Sequence, residues 1–329
     1  MRHLMPVFAV ALALQPLIAA AKVVLHADSA PSGVAIQAYA LPSGGGYPHD
    51  VAVGADGIVW YTAQHDGQLG RLEPATGKID LIPLGAGAAP HGVVIGPDGA
   101  PWITDAGANA VLRVDPKTRE VKRWPVSRGD ANLNTAAFDK RGRIWFTGQS
   151  GIYGRLDPGS GDMRVWDAPR GLGPYGITAT PTGDIYYASL AGNYIAQVDP
   201  DTGAATVIEP PTENQGARRV WSDSHGRIWV SEWNAGNLGC YDPKTRTWHT
   251  WKLPGAEPHA YAVYVDDKDM VWASDWGSNS VVRFDPVTEK FDVFANDRDN
   301  AGVRQINGRP GEIWVPESGA DRILVYRTQ

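Results

Sequence analysis

Residues 257–286, EPHAYAVYVDDKDMVWASDWGSNSVVRFDP, decide the fold. Residues 260–265 are apolar and β-prone, and Asp266, Asp267, Lys268 and Asp269 break the run, which reads as a strand and a turn. Residues 270–275 form a second strand. After Gly277-Ser278-Asn279 comes a third at 280–284, and after Asp285-Pro286 a fourth at 290–294. Four short antiparallel strands in about 40 residues make one blade of a β-propeller.

Working outward, the same unit recurs. Trp60, Trp102, Trp145, Tyr186, Trp229, Trp272 and Trp314 stand 41 to 43 residues apart, each just after a polar turn such as Pro97-Asp98-Gly99 or Ser224-His225-Gly226. The turns leave no room for helices, and no 3.6-residue apolar period is sustained. The chain is all-β, a seven-bladed propeller of four-stranded antiparallel blades. The seventh unit ends one strand short, and residues 35–41 resemble the missing outer strand. Pairing there would close the ring and remove an exposed edge. The reading is a signal peptide at 1–21, an N-terminal segment at 22–34 and one propeller at 35–329.

The leader follows from Met1-Arg2-His3, an apolar run over 4–18 and Ala19-Ala20-Ala21 before Lys22. It predicts an exported protein, periplasmic or secreted, with no membrane span in the mature chain. The net charge of −6 comes with interspersed signs, so nucleic acid and membrane surfaces are not expected partners. The single cysteine, Cys240, excludes an intramolecular disulfide and reads as a buried, inert thiol. A monomer acting on a small-molecule or cyclic-peptide substrate is expected.

Propeller sites sit at one mouth of the central channel. Inner strands open with Pro48-His49, Pro90-His91, Pro174-Tyr175, Ala217-Arg218-Arg219, Pro258-His259 and Val303-Arg304. Three residues after the marker aromatics stand Asp105, Glu232, Asp275 and Glu317 in four of seven repeats. His49, His91, Tyr175, Arg218 and Glu232 are therefore candidate substrate contacts. If the sixth hairpin folds about Asp267, His259 and Asp275 face each other with Glu257 beside them, an imidazole and two carboxylates at one mouth. The marker aromatics read as wedges between blades, leaving Trp221, Trp233 and Trp276 as the candidates for stacking on a ligand. The acidic cluster at 266–269 reads as a solvated turn.

Glu257-Pro258-His259, Asp275-Trp276-Gly277 and seven such units resemble the virginiamycin B lyases, or streptogramin lyases. The resemblance implies linearisation of a cyclic depsipeptide antibiotic at its ester by elimination, with magnesium required. It implies His259 as general base, with Glu257 and Asp275, the latter in place of a family glutamate, as metal ligands. A family histidine on the preceding inner strand has no counterpart here, where Gly216-Ala217-Arg218-Arg219 stands. The residue types also admit a metal-dependent lactonase or esterase, and an exported propeller that binds a ligand without turnover.

Overall fold

The computed structural model describes residues 23–26, 33–43 and 45–328. The leader expected at 1–21 lies outside them. Seven antiparallel sheets, among the described residues without any helix, form the ring. The unit that opened the reading folds as Ala260–Val265, Val271–Asp275, Ser280–Asp285 and Lys290–Ala295. Val34–Ala40 pairs antiparallel with Arg322–Thr328 and completes the last blade. Val23–His26 then pairs with Val34–Ala40 as an additional outer strand, so this blade has five strands rather than the expected four.

All seven marker aromatics are buried. Each removes on the order of 200 Å² of ring surface from water, worth about 5 kcal/mol before entropic costs. Trp272 shows the wedge: it stacks on Phe294 of its own blade and meets Tyr326 of the next edge-on. Several are also anchored at the indole nitrogen. Asp139, Asp223 and Asp266 accept from Trp145, Trp229 and Trp272 at 2.8, 2.9 and 2.8 Å. Asp266 is thus a buried clamp that also takes the Lys268 and Met270 N–H groups. The solvated-turn reading fails for this residue because a wedge indole needs a buried acceptor.

The inner strands carry a second repeated device. In six of them the pairing slips by a β-bulge near the mouth, as between Pro48 and Val51 or Ala217 and Arg219. A bulge turns successive side chains the same way. A hydroxyl two residues after the marker aromatic holds it. Thr62 Oγ1 accepts the Asp50 N–H at 3.0 Å and donates to the His91 carbonyl of the next blade at 2.8 Å. Ser231 does the same for Arg219 N–H and Tyr261 carbonyl, and Ser274 for Ala262 N–H and Val303 carbonyl. Thr104 and Thr147 complete the set. These hydroxyls are fully buried.

Replacing Thr62 with Val keeps the shape but orphans one N–H and one carbonyl. The expected loss is about 1–3 kcal/mol, read as a lower denaturant midpoint at unchanged slope. An unchanged midpoint contradicts the role given to the hydroxyl.

Candidate functional site

Each inner strand presents to the channel the residue that follows its first paired position. The first pairs are Pro48 with Ala63, Pro90 with Asp105, Leu133 with Gly148, Pro174 with Ser189, Ala217 with Glu232, Ala260 with Asp275, and Val303 with Glu317. The ring is therefore His49, His91, Asn134, Tyr175, Arg218, Tyr261 and Arg304.

Six of these residues lie eleven positions before their marker aromatic. Tyr261, not His259, is thus the sixth repeat's counterpart of His49. The expected register is off because the hairpin turns about Lys268 rather than Asp267: Val265 pairs with Val271, and a bulge between Ala260 and Val263 shifts the pairing once more. Ala260, not His259, pairs with Asp275. His259 stands one layer further out, where the first repeat has Tyr47.

The ring and the residues behind it form a polar plug. Asp50 pairs with Arg219, Nη2 to Oδ1 at 3.0 Å, and accepts from the His49 ring at 2.8 Å. Arg219 reaches from the fifth blade and also donates to Thr135 Oγ1 of the third. The His49 and His91 rings lie 3.8 Å apart, and His91 Nε2 meets the Asn134 amide at 3.1 Å. The Tyr175 and Tyr261 hydroxyls share a hydrogen bond at 2.7 Å.

Arg304 donates to Tyr47 Oη at 2.5 Å, Tyr261 Oη at 3.2 Å and Ser318 Oγ at 3.0 Å, and it lies 3.3 Å from His49 Nε2. Arg218 lies 3.7 Å over the Tyr261 ring and donates to Tyr175 Oη at 3.1 Å. His49, His91 and Tyr175 are buried, while Arg218 and Arg304 are half-buried at the mouth. The first three therefore support the mouth from beneath; of the expected contacts only Arg218 lies open to a ligand, with Arg304 joining it there.

Electrostatics follow from this packing. Burial, then the charges of Arg304, Arg219 and Arg218, hold His49 well below its usual pKa. Burial and His49 do the same to His91, so both are neutral at neutral pH. Burial opposes ionisation of Tyr261, but Arg218, Arg219 and Arg304 together outweigh it and set its phenol below the usual tyrosine range. Burial and the facing Tyr261 push Tyr175 up. Two touching phenols are thus driven apart.

His259 is exposed beside the plug. Its N–H is held by Asp275 Oδ1 at 2.8 Å, and its ring stacks on Trp233 at 5.0 Å. Nδ1 lies 3.1 Å from the Trp233 carbonyl. A carbonyl only accepts, so Nδ1 carries the hydrogen and the neutral ring keeps its lone pair on Nε2.

Trp233 and Trp276 are not free platforms. Trp233 also lies under Arg218, and Trp276 stacks on Tyr261 and gives its N–H to the Val303 carbonyl. Trp221 packs on Tyr264 and lines an apolar cavity of about 300 Å³ with Ala52, Ile95, Ala137 and Asn307 at the opposite end of the inner strands.

The carboxylates after the marker aromatics do not converge on the channel. Asp275 is 1% exposed; Oδ1 takes the His259 and Gly277 N–H groups and Oδ2 the Ser278 hydroxyl. Asp105 likewise takes Ala89 and Ala108 N–H. Glu232 is fully buried against Gly239 and bonds Asn237 at 2.9 Å, with burial pushing its pKa to about 7. These acids pin the turns of their own blades. Glu257 is exposed, its backbone fixed by packing on Gly277, where a Cβ would sit 1.8 Å from the Glu257 carbonyl oxygen.

Magnesium needs several oxygen ligands in near-octahedral array. The Asp275 carboxylate is committed to three donors and buried away from Glu257's exposed one, so the pair as arranged does not fit that ion. Among the described residues, His49, Asp50 and His91 are the trio with converging ligand atoms. Its carboxylate is already neutralised by Arg219, and Arg304 stands beside it, an arrangement hostile to a cation.

Residues 29–192 match the model of the virginiamycin B lyase family. The chain belongs to that family. Among solved structures, a streptogramin B lyase superposes with a TM-score of 0.84 at 20% identity, covering 92% of this chain and 100% of that one. The virginiamycin B lyase from Staphylococcus aureus gives 0.83 at 21% identity over 90% and 100% of the two chains. A catalytically inactive histidine-to-alanine variant of that lyase, solved with quinupristin, gives the same values. The extracellular domain of a one-component system from B. thetaiotaomicron gives 0.68 at 14% identity over 87% of this chain and 39% of that one. Among curated proteins none matches. No helix among the described residues is long and apolar enough to cross a membrane.

The cationic plug has a direct optical signature. Titration at 295 nm should show one phenol ionising below the ordinary tyrosine value of about 10. It should vanish in Tyr261→Phe and move upward in Arg304→Gln, because removing a cation destabilises the phenolate. A low-pH phenol that survives Tyr261→Phe contradicts the assignment.

Proposed function

We propose that this member of the virginiamycin B lyase family is an exported carbon–oxygen lyase that opens a cyclic ester or depsipeptide at the channel mouth by β-elimination. His259 is the base. The observation that carries this reading is the orientation of its ring: Nδ1–H is spent on the Trp233 carbonyl, so Nε2 is the nitrogen left for proton transfer in an exposed side chain. A neutral imidazole at neutral pH is suited to proton abstraction.

Nε2 takes the proton from the carbon next to the substrate's carbonyl. That electron pair becomes a carbon–carbon double bond, and the bond from the β-carbon to the ester oxygen breaks with the oxygen leaving as a carboxylate. No water enters. The enolate-like charge that develops next to the carbonyl needs preorganised positive charge, and Arg218 and Arg304 supply it at the same mouth. The inactive histidine-to-alanine variant of the S. aureus lyase supports a histidine in this role. No step runs through a metal, because Asp275 acts on the backbone of His259 rather than beside its ring. For the same reason the lactonase and esterase readings, which need a metal-activated water, gain no support from these carboxylates.

Replacing His259 with Ala removes an exposed ring and leaves the fold intact. With a type B streptogramin as substrate, turnover should fall by about 10²–10⁴-fold, as followed by chromatographic separation of the cyclic substrate from its opened isomer. A variant that keeps the wild-type rate contradicts the assignment of the base.

A further inference from the structure

Three guanidiniums, those of Arg218, Arg219 and Arg304, meet within the plug, and Asp50 is the carboxylate that answers them. Asp50 is 2% exposed and is taken up by Arg219. Among the described residues neither Arg218 nor Arg304 makes an ion pair. Arg218 has five N–H donors and one hydrogen bond, to Tyr175 Oη, and its Nε is buried without a partner. It is held instead between ring faces, 3.7 Å from the Tyr261 centroid and 4.5 Å from that of Trp233. Arg304 is braced by two phenols and the Ser318 hydroxyl. Burying charge without a counter-ion is costly; here the cations are fixed, partly open to solvent, and both in contact with Tyr261.

We infer that the mouth is a carboxylate site, with Arg218 and Arg304 holding an acid group of the ligand and the Tyr47 hydroxyl beside it, so that β-acyloxy substrates bearing a free carboxylate are favoured over those that lack one. The planar fork of a guanidinium matches a carboxylate in two-point contact. The lowered phenol of Tyr261 reports the same excess of positive charge at that spot.

The inference deepens the elimination reading. Removing a proton next to a carboxylate places two negative charges on one group, and two guanidiniums stabilise them where a metal ion would otherwise be needed. His259 and Arg218 are tied to this mouth by the same side chain, the Trp233 indole that both contact. In the step, the imidazole takes the α-proton, the carbon–carbon double bond forms, and the acyloxy group departs with the electrons of the carbon–oxygen bond. An unsaturated acid and a second carboxylate result, with no co-reactant.

The test separates binding from turnover. The mature protein and its His259→Ala variant are titrated with 3-acetoxybutanoate and with its methyl ester, following the tryptophan fluorescence of the mouth. The acid should bind at least about tenfold more tightly than the ester, as one charge-assisted contact allows. The difference should vanish in Arg218→Gln, return in part in Arg218→Lys, and survive in His259→Ala. Equal binding of acid and ester, no saturable response to the acid, or a preference untouched by Arg218→Gln overturns the inference. An acid that binds as expected but yields no crotonate leaves the site standing and counts against the lyase; elimination without any preference for the acid does the reverse.

Discussion

A buried hydroxyl, two residues after the marker aromatic, carries this structure. It accepts an N–H from the bulge of its own inner strand and donates to a carbonyl of the next blade, so one oxygen fixes a local distortion and an interblade contact together. Without the bulge, successive residues would alternate between faces. With it, Asp50 and Arg219 reach each other across the channel while His49 and Arg218, their neighbours in sequence, remain on the channel ring. Five of the seven repeats carry the device. The fourth and seventh have Ala188 and Pro316 at that position, and the seventh inner strand correspondingly shortens to Asn307–Arg309 with a lone bridge at Val303.

That framework makes an unbalanced set of charges tolerable. Buried histidines remain neutral, one carboxylate is fully used by one guanidinium, and two further guanidiniums are left at the boundary with solvent. Aromatic faces hold them in place: Tyr261, Tyr175 and Trp233 around Arg218, and Tyr47 and Trp276 around Arg304. The site is rigid in its cationic part and exposed at His259, which is a sensible division for a base that must meet a substrate and a charge field that must not move.

The fold was legible because its signal is repeated: an aromatic at near-constant spacing and a polar turn before it recur seven times, and the unpaired last strand points to residues 35–41. The site was less so. The resemblance of Pro258-His259 to Pro48-His49 suggested equivalence, but His259 stands thirteen residues before Trp272 where His49 stands eleven before Trp60, and Tyr261 occupies the ring. Counting eleven residues back from each marker aromatic would have found it. The acids after the marker aromatics were misread for another reason: strand position says which end a side chain occupies, not whether its own turn consumes it. Only the N–H groups around Asp105 and Asp275 settle that. Val23–His26 carried no repeat to compare with.

The central claim is that the mouth breaks a carbon–oxygen bond by elimination rather than by adding water. Incubating the mature protein with a type B streptogramin in water enriched in oxygen-18, and weighing the product, tests it most directly. The account predicts an opened chain of unchanged mass with no heavy oxygen. A product heavier by one labelled water, or a cyclic substrate left intact, contradicts it.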